Sequence, residues 1–318
     1  MSLTPEILTI YIVDILFLVF ASIAFYLSLK ITLNYDRNQN TALQYELEKK
    51  SYLASTIIKF IFFIKIPLFV FFVFTLDKIS DILVGAMCAA GVVNATEYGV
   101  PLLILKMINL YLFAFWITIN AQDMKDEEQK YFKLKYILFL FASILLVLEI
   151  ATEIVMFSNI DINSIVDCCG AIFSVTDTTY IAEILSQDKL LTTLFYGNFL
   201  LLVVLYFLRK KALYGVLNLS FVVIALLSLI SFFGTYIYEL PTHHCPFCML
   251  QKDYGYIGYI LYIFLFYGTF YGVSLPLLEY EKKELQKRFS LSIWFNLAYV
   301  LLVSYYPLSY YIQNGVWL

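Results

Sequence analysis

Charge is scarce in this chain. Of 318 residues only 14% are Asp, Glu, Lys or Arg, whereas a soluble domain carries about 25%. The shortage excludes a water-soluble globule. Histidine is scarcer still, with two residues, and both stand beside two of the five cysteines in one short stretch, 241–252. No segment between the apolar runs is long enough for a separate soluble domain. A net charge of −3 offers nothing to nucleic acid. What remains is hydrocarbon, 62% hydrophobic and 19% aromatic residues. The 27 tyrosines and 29 phenylalanines are expected mostly as lipid-facing bulk and interfacial anchors.

A helix needs roughly 20 apolar residues to cross a hydrocarbon layer of ~30 Å. Eight such runs are present, at 7–30, 56–76, 100–120, 136–157, 191–208, 216–240, 255–278 and 291–312. The predicted fold is all-α, a polytopic integral membrane protein of about eight transmembrane helices forming a single domain over 1–318. The first run has no basic segment before it and no small-residue cleavage site after it, so it reads as a span rather than a signal peptide. Fourteen basic residues fall in the loops after the odd-numbered spans, among them Lys125, Lys130, Lys210 and Lys287. The opposite loops hold three, Lys78, Lys189 and Lys252. Basic residues stay in the cytoplasm, so both termini are expected on the periplasmic side of a bacterial inner membrane.

That orientation gives the cysteines one address. Cys88 falls in the first outer loop, Cys168 and Cys169 in the second, and Cys245 and Cys248 in the third. A cysteine in such a chain is ordinarily a small buried hydrophobe, and most would then lie within spans. Five on the oxidising face point instead to thiol chemistry or soft-metal binding. Adjacent Cys168 and Cys169 could bridge each other only through a strained ring, so each is expected to pair elsewhere.

The third loop reads Pro241-Thr-His-His-Cys-Pro-Phe-Cys-Met-Leu-Gln-Lys252. Two cysteines separated by two residues can close a disulfide, chelate a soft metal or pass electrons by thiol exchange. A membrane helix opening near Pro246 would set its N-terminal dipole against the thiols, and with Lys252 would favour thiolate. His243 and His244 add protonatable groups.

The run Cys245-Pro246-Phe247-Cys248-Met249-Leu250-Gln251-Lys252 resembles the signature of the DsbB-type membrane disulfide-forming proteins, Cys-Pro-x-Cys-x-x-Gln-Arg, with Lys252 in place of arginine. The likeness covers about a dozen residues. It implies that Cys245 and Cys248 pass electrons to a quinone, with Gln251 and Lys252 near the quinone head group. It also implies a second outer cysteine pair that exchanges with a periplasmic thioredoxin-like or other cysteine-containing protein. The family's second pair lies downstream of its CxxC; here no cysteine follows Cys248, which leaves Cys168 and Cys169, or Cys88.

Charges inside apolar runs are expensive and are functional candidates. Asp14, Lys106, Glu149 and Glu153 are expected in one layer beneath the cysteine loops, with Lys65 a candidate to join it. The layer is either a structural ion pair between Lys106 and a glutamate, or a proton path. Gly268 and Gly272 form a GxxxG that lets span seven pack closely. The favoured function is a quinone-linked thiol-disulfide oxidoreductase in contact with membrane lipid. One alternative is copper binding, transport or insertion through His243, His244, Cys245, Cys248, Met249, Cys88 and Met87. Another is a structural subunit of a larger membrane complex.

Overall fold

The computed structural model describes residues 4–36, 39, 41–126, 128–162, 165–166 and 180–318. The fold is all-helical, 81% helix with no strand among the described residues. Eight helices there are long and apolar enough to cross a membrane, which makes the chain a multi-pass membrane protein by length and composition. The spans are α1 (Pro5–Asn34), α2 (Ala42–Ser80), α4 (Gly99–Asp123), α5 (Phe132–Asn159), α7 (Asp188–Leu208), the composite α8–α9 (Lys211–Tyr238), α10 (Ile257–Ser274) and α11 (Lys282–Asn314). Two short helices, α3 (Ala89–Asn94) and α6 (Tyr180–Leu185), lie between spans.

The local rules are visible at α1. Thr4 caps its start by accepting from the Ile7 amide at 3.4 Å, Pro5 stands where a helix has no use for its missing N–H, and Glu6 meets the positive end of the dipole. Ile7, Ile10, Asp14, Phe17, Ala21, Ala24 and Ile31 are buried, at spacings of three, four and seven. The exposed faces hold Leu8, Ile12, Ile15, Val19 and Ile23, no less apolar. A helix apolar all round is one built for lipid.

Contacts gather the chain into two compact units, residues 1–84 with 95–164, and residues 85–94 with 165–318. In unit 1, α1, α2, α4 and α5 pack around Phe62, whose ring stacks on Phe113 at 4.2 Å and meets Trp116 edge-on at 5.5 Å. Trp116 donates its indole N–H to the Lys135 carbonyl at 2.7 Å, and the Lys135 ammonium pairs with buried Asp123 at 2.7 Å.

In unit 2 the glycine pair of α10 governs the packing. A Cβ on Gly268 would stand 2.1 Å from Asn296 Oδ1 of α11, and one on Gly272 would stand 2.2 Å from Asn218 Cγ of α8. The two glycines thus serve two different neighbours. Across the gap they leave, Asn296 donates to Asn218 at 2.9 Å and Ser292 donates to the Gly268 carbonyl at 2.6 Å. Phe195 of α7 stacks with Phe221 of α8 and meets Tyr299 of α11 edge-on.

Span six contains a wide turn. Between α8 and α9 the backbone forms a π-helix at Leu229–Phe233, and Gly234 closes it with its amide on the Leu229 carbonyl. A Cβ at 234 would lie 2.8 Å from that carbonyl, so the bulge requires glycine there.

Candidate functional site

The thiol site lies wholly in unit 2. Span six ends at Tyr238, Glu239 turns the chain with φ 53°, and α10 does not begin until Ile257. The seventh span thus opens near its expected start at 255, and no membrane helix opens near Pro246. Cys248–Leu250 and Lys252–Tyr254 form two separate single 3₁₀ turns, and Gly255 and Tyr256 both take left-handed conformations before α10 opens. The thiolate support expected at Cys245 from the dipole of a membrane helix opening there is therefore missing.

Tyrosines hold the loop instead. The Tyr238 hydroxyl donates to the Cys245 carbonyl and accepts from the Met249 amide at 3.0 Å, so one side chain spans the CxxC turn. The Tyr262 hydroxyl of α10 donates to the Pro246 carbonyl at 2.7 Å. Gly258 lets the first turn of α10 press on Met249 and Leu250, which a Cβ would meet at 2.6 and 2.8 Å. Beside the loop, Tyr254 titrates above the ordinary phenol range, first because it is drawn out of water and then because Cys248, Asp253 and Cys245 lie near it. It remains a neutral phenol at physiological pH.

Cys88 comes to this loop from 157 residues away. It stands immediately before α3, and its Sγ lies 3.5 Å from that of Cys245. The Sγ atoms of Cys88, Cys245 and Cys248 all lie within 4.8 Å of one another. The three residues are 0%, 1% and 5% exposed. Gln251, expected beside a quinone, donates its side-chain amide to the Met87 carbonyl at 3.0 Å. It thereby ties the Cys88 segment to the CxxC turn. Gly85, at φ 91°, brings that segment in against Val166, whose carbonyl a Cβ would meet at 2.4 Å.

A second polar centre lies in unit 1. Lys65 of α2 pairs with Asp14 of α1 at 2.7 Å and with Glu149 of α5 at 3.1 Å. Lys106 of α4 pairs with Glu149 at 2.9 Å and Glu153 at 2.7 Å. Asn109 donates to the other oxygen of Glu149 at 2.6 Å. All six residues are buried. Their order is a chain, Asp14, Lys65, Glu149, Lys106, Glu153, and each ammonium also faces a ring, Lys106 over Phe72 at 4.3 Å and Lys65 over Phe17 at 5.9 Å.

No family model, curated protein or solved structure matches the chain.

The structure brings Cys245, Cys248 and Cys88 together, and separately joins Asp14, Lys106, Glu149 and Glu153 through Lys65. Cys168 and Cys169 lie outside the described residues. Lys252 is exposed. Neither histidine belongs to the three-thiol group. His244 Nδ1 lies 2.9 Å from the Ile230 carbonyl inside the π-turn, and since a carbonyl only accepts, Nδ1 carries the proton. His243 packs edge-on against Tyr238 at 4.4 Å. Among the described residues the grouped metal donors are the three thiols alone. Tyr238, Tyr262 and Asn109 carried no signal in the sequence, since two were lost among 27 tyrosines and one was an uncharged residue in an apolar run.

Proposed function

We propose that the chain is a membrane thiol-disulfide oxidoreductase whose centre has three sulfurs, Cys245, Cys248 and Cys88. The observation that carries this reading is the 3.5 Å approach of Cys88 Sγ to Cys245 Sγ. A thiolate at that distance is in reach of the sulfur it would attack. Oxidation of Cys245 and Cys248 to a disulfide releases two electrons and two protons, and a quinone that accepts both becomes a quinol. Attack by the Cys88 thiolate on Cys245 breaks the Cys245–Cys248 bond, forms Cys88–Cys245 and leaves Cys248 as thiolate. The resemblance of the CPFCMLQK segment to the DsbB-type family supports the quinone, and the basic bias of the loops supports a periplasmic site in a bacterial inner membrane. Exchange with a soluble thiol protein falls to Cys168 and Cys169 in this reading, because the other three are buried.

The test is direct. Oxidised Cys248→Ser protein should hold a Cys88–Cys245 disulfide, seen by mass spectrometry of its peptides, and the reduced unsubstituted protein should regain a disulfide on adding a quinone. Absence of both removes the oxidoreductase reading.

Soft-metal binding is favoured by one specific observation, the seclusion of three thiols within 4.8 Å of one another. Sulfur ligands on one ion at ~2.3 Å stand no more than about 4.6 Å apart, so a slight contraction would fit them around Cu(I), which takes soft donors. His243, His244 and Met249 are not needed for it. One equivalent of Cu(I) retained by native protein against a chelator and lost in Cys88→Ser, with no reoxidation by quinone, would establish this alternative in place of the first.

A further inference from the structure

The thiol reading leaves the buried ions of unit 1 without a role, and their charges do not cancel. Three carboxylates, Asp14, Glu149 and Glu153, face two ammonium groups, Lys65 and Lys106. Fully ionised, the cage has a net charge of −1 in an apolar interior, where an uncompensated charge is strongly disfavoured. The donors are also unevenly shared. Glu149 in the middle receives Lys65 and Lys106 on one oxygen and Asn109 on the other. Each terminal carboxylate has one lysine, and each keeps a buried oxygen with no hydrogen-bond partner among the described residues, Oδ2 of Asp14 and Oε1 of Glu153.

We propose that the cage binds one exchangeable proton, shared by its two terminal carboxylates, Asp14 and Glu153. Binding converts one carboxylate to a carboxylic acid and involves no electron transfer. The charge count becomes zero, and one orphaned oxygen becomes a hydroxyl. The groups facing the pair come from all four helices: Tyr11 from α1, Lys65 from α2, Lys106 from α4 and Glu149 from α5. Asp14 and Glu153 are near enough for their charges to act on each other, so a proton on either relieves both. Two lysines hold the central glutamate as an anion, which keeps the proton at the ends of the chain. A small cleft between Leu68, Phe69 and Phe113 reaches the middle of the cage at Lys65, Lys106 and Glu149.

The experiment is infrared difference spectroscopy of the full chain in lipid vesicles, in potassium buffer, stepping from alkaline to neutral pH. A protonated-carboxyl C=O band should appear near neutral pH, move on H/D exchange, and vanish in both Glu153→Gln and Asp14→Asn, since each substitution balances the cage without a proton. Should either variant fail to fold, native protein labelled with carboxyl-¹³C aspartate and glutamate together should show the band displaced. Absence of the band from native protein near neutral pH would overturn the proposal. So would a band that persists undiminished in both variants, or one that appears only when Na⁺ and K⁺ are withdrawn, which would mean that a metal cation fills the cage.

Discussion

In the interior of unit 1 five ionisable side chains from α1, α2, α4 and α5 meet in one chain of lysine–carboxylate contacts. Around the glycine pair of α10 in unit 2 the α8–α10–α11 seam is joined by neutral groups: Tyr214 donates to Ser292, Ser292 to the Gly268 carbonyl, and Asn296 to Asn218. Lipid gives helices no hydrophobic reason to associate, so both devices act as adhesive. They fail differently. A neutral seam needs close backbones, which is why glycine faces each asparagine. A charged cage tolerates distance but needs a full set of partners, because a lone buried charge costs more than a lone amide.

The largest expected effect tests the cage. Lys106→Met leaves Glu153 with no donor and should lower stability by about 3–5 kcal/mol, with partial recovery when Glu153→Gln is added. The three tryptophans divide between the units, Trp116 in unit 1 and Trp294 and Trp317 in unit 2, so fluorescence can report each. In a Trp294→Phe/Trp317→Phe background the Trp116 transition should fall sharply with Lys106→Met. If the double substitution is simply additive, the pairing carries no coupling energy.

Next in size is the seam. Gly268→Val drives a side chain into Asn296 at a contact no Cβ makes, and overpacking of this kind costs about 1–3 kcal/mol. In a Trp116→Phe protein the Trp294 and Trp317 transition should move, while Trp116 in its own background should not. Equal shifts in both reporters would mean that the two units unfold as one, and would erase the distinction drawn above.

The comparison also marks what a sequence can show. The spans were legible because eight apolar runs stand out against so little charge, and the members of the cage because an Asp, a Lys or a Glu within such a run is conspicuous. Their pairing was not, since Lys65 and Glu149 are 84 residues apart. The thiol loop was legible as a motif and misjudged as a shape. A helix opening near Pro246 would have set its dipole against CPFC, but Gly255 and Tyr256 turn left-handed and α10 opens at Ile257, near the start expected for the seventh span at 255. Cys88 was one of several cysteines on the same face, and nothing in its spacing set it beside Cys245 rather than elsewhere. Asn218 and Asn296 were invisible, because an amide in an apolar run announces neither partner nor function.

Within unit 2, the thiol site depends on a neutral group in the same way as the seam. Tyr238→Phe removes one hydroxyl and strands two buried backbone groups, the Cys245 carbonyl and the Met249 amide. The loss should be about 1–3 kcal/mol, and it should be local. Alkylation of Cys245 and Cys248 under reducing conditions should quicken at a temperature where the helices remain folded by circular dichroism. Unchanged alkylation would mean that the CxxC turn is held by its neighbours, not by that hydroxyl.

The smallest effect expected on stability is the one that bears most closely on the thiols. Gln251 reaches the Met87 carbonyl at 3.0 Å, one residue before Cys88. The bond joins two neutral groups, and its loss in Gln251→Ala should cost about 0.5–1.5 kcal/mol and leave the melting curve nearly where it was. Its effect should appear instead in which disulfide forms. The bond holds the Cys88 segment against the CxxC turn, so losing ~1 kcal/mol of that attachment lowers the ratio of close to open S···S arrangements by about fivefold. Under mild oxidation the yield of Cys88–Cys245 in Cys248→Ser protein should drop accordingly, while closure of Cys245–Cys248 in protein that retains Cys248 should be unaffected. Gln251→Glu keeps the length but presents a carboxylate to a carbonyl, an acceptor to an acceptor, and should reduce the yield further. If neither substitution changes the ratio of the two disulfides, Gln251 does not position Cys88.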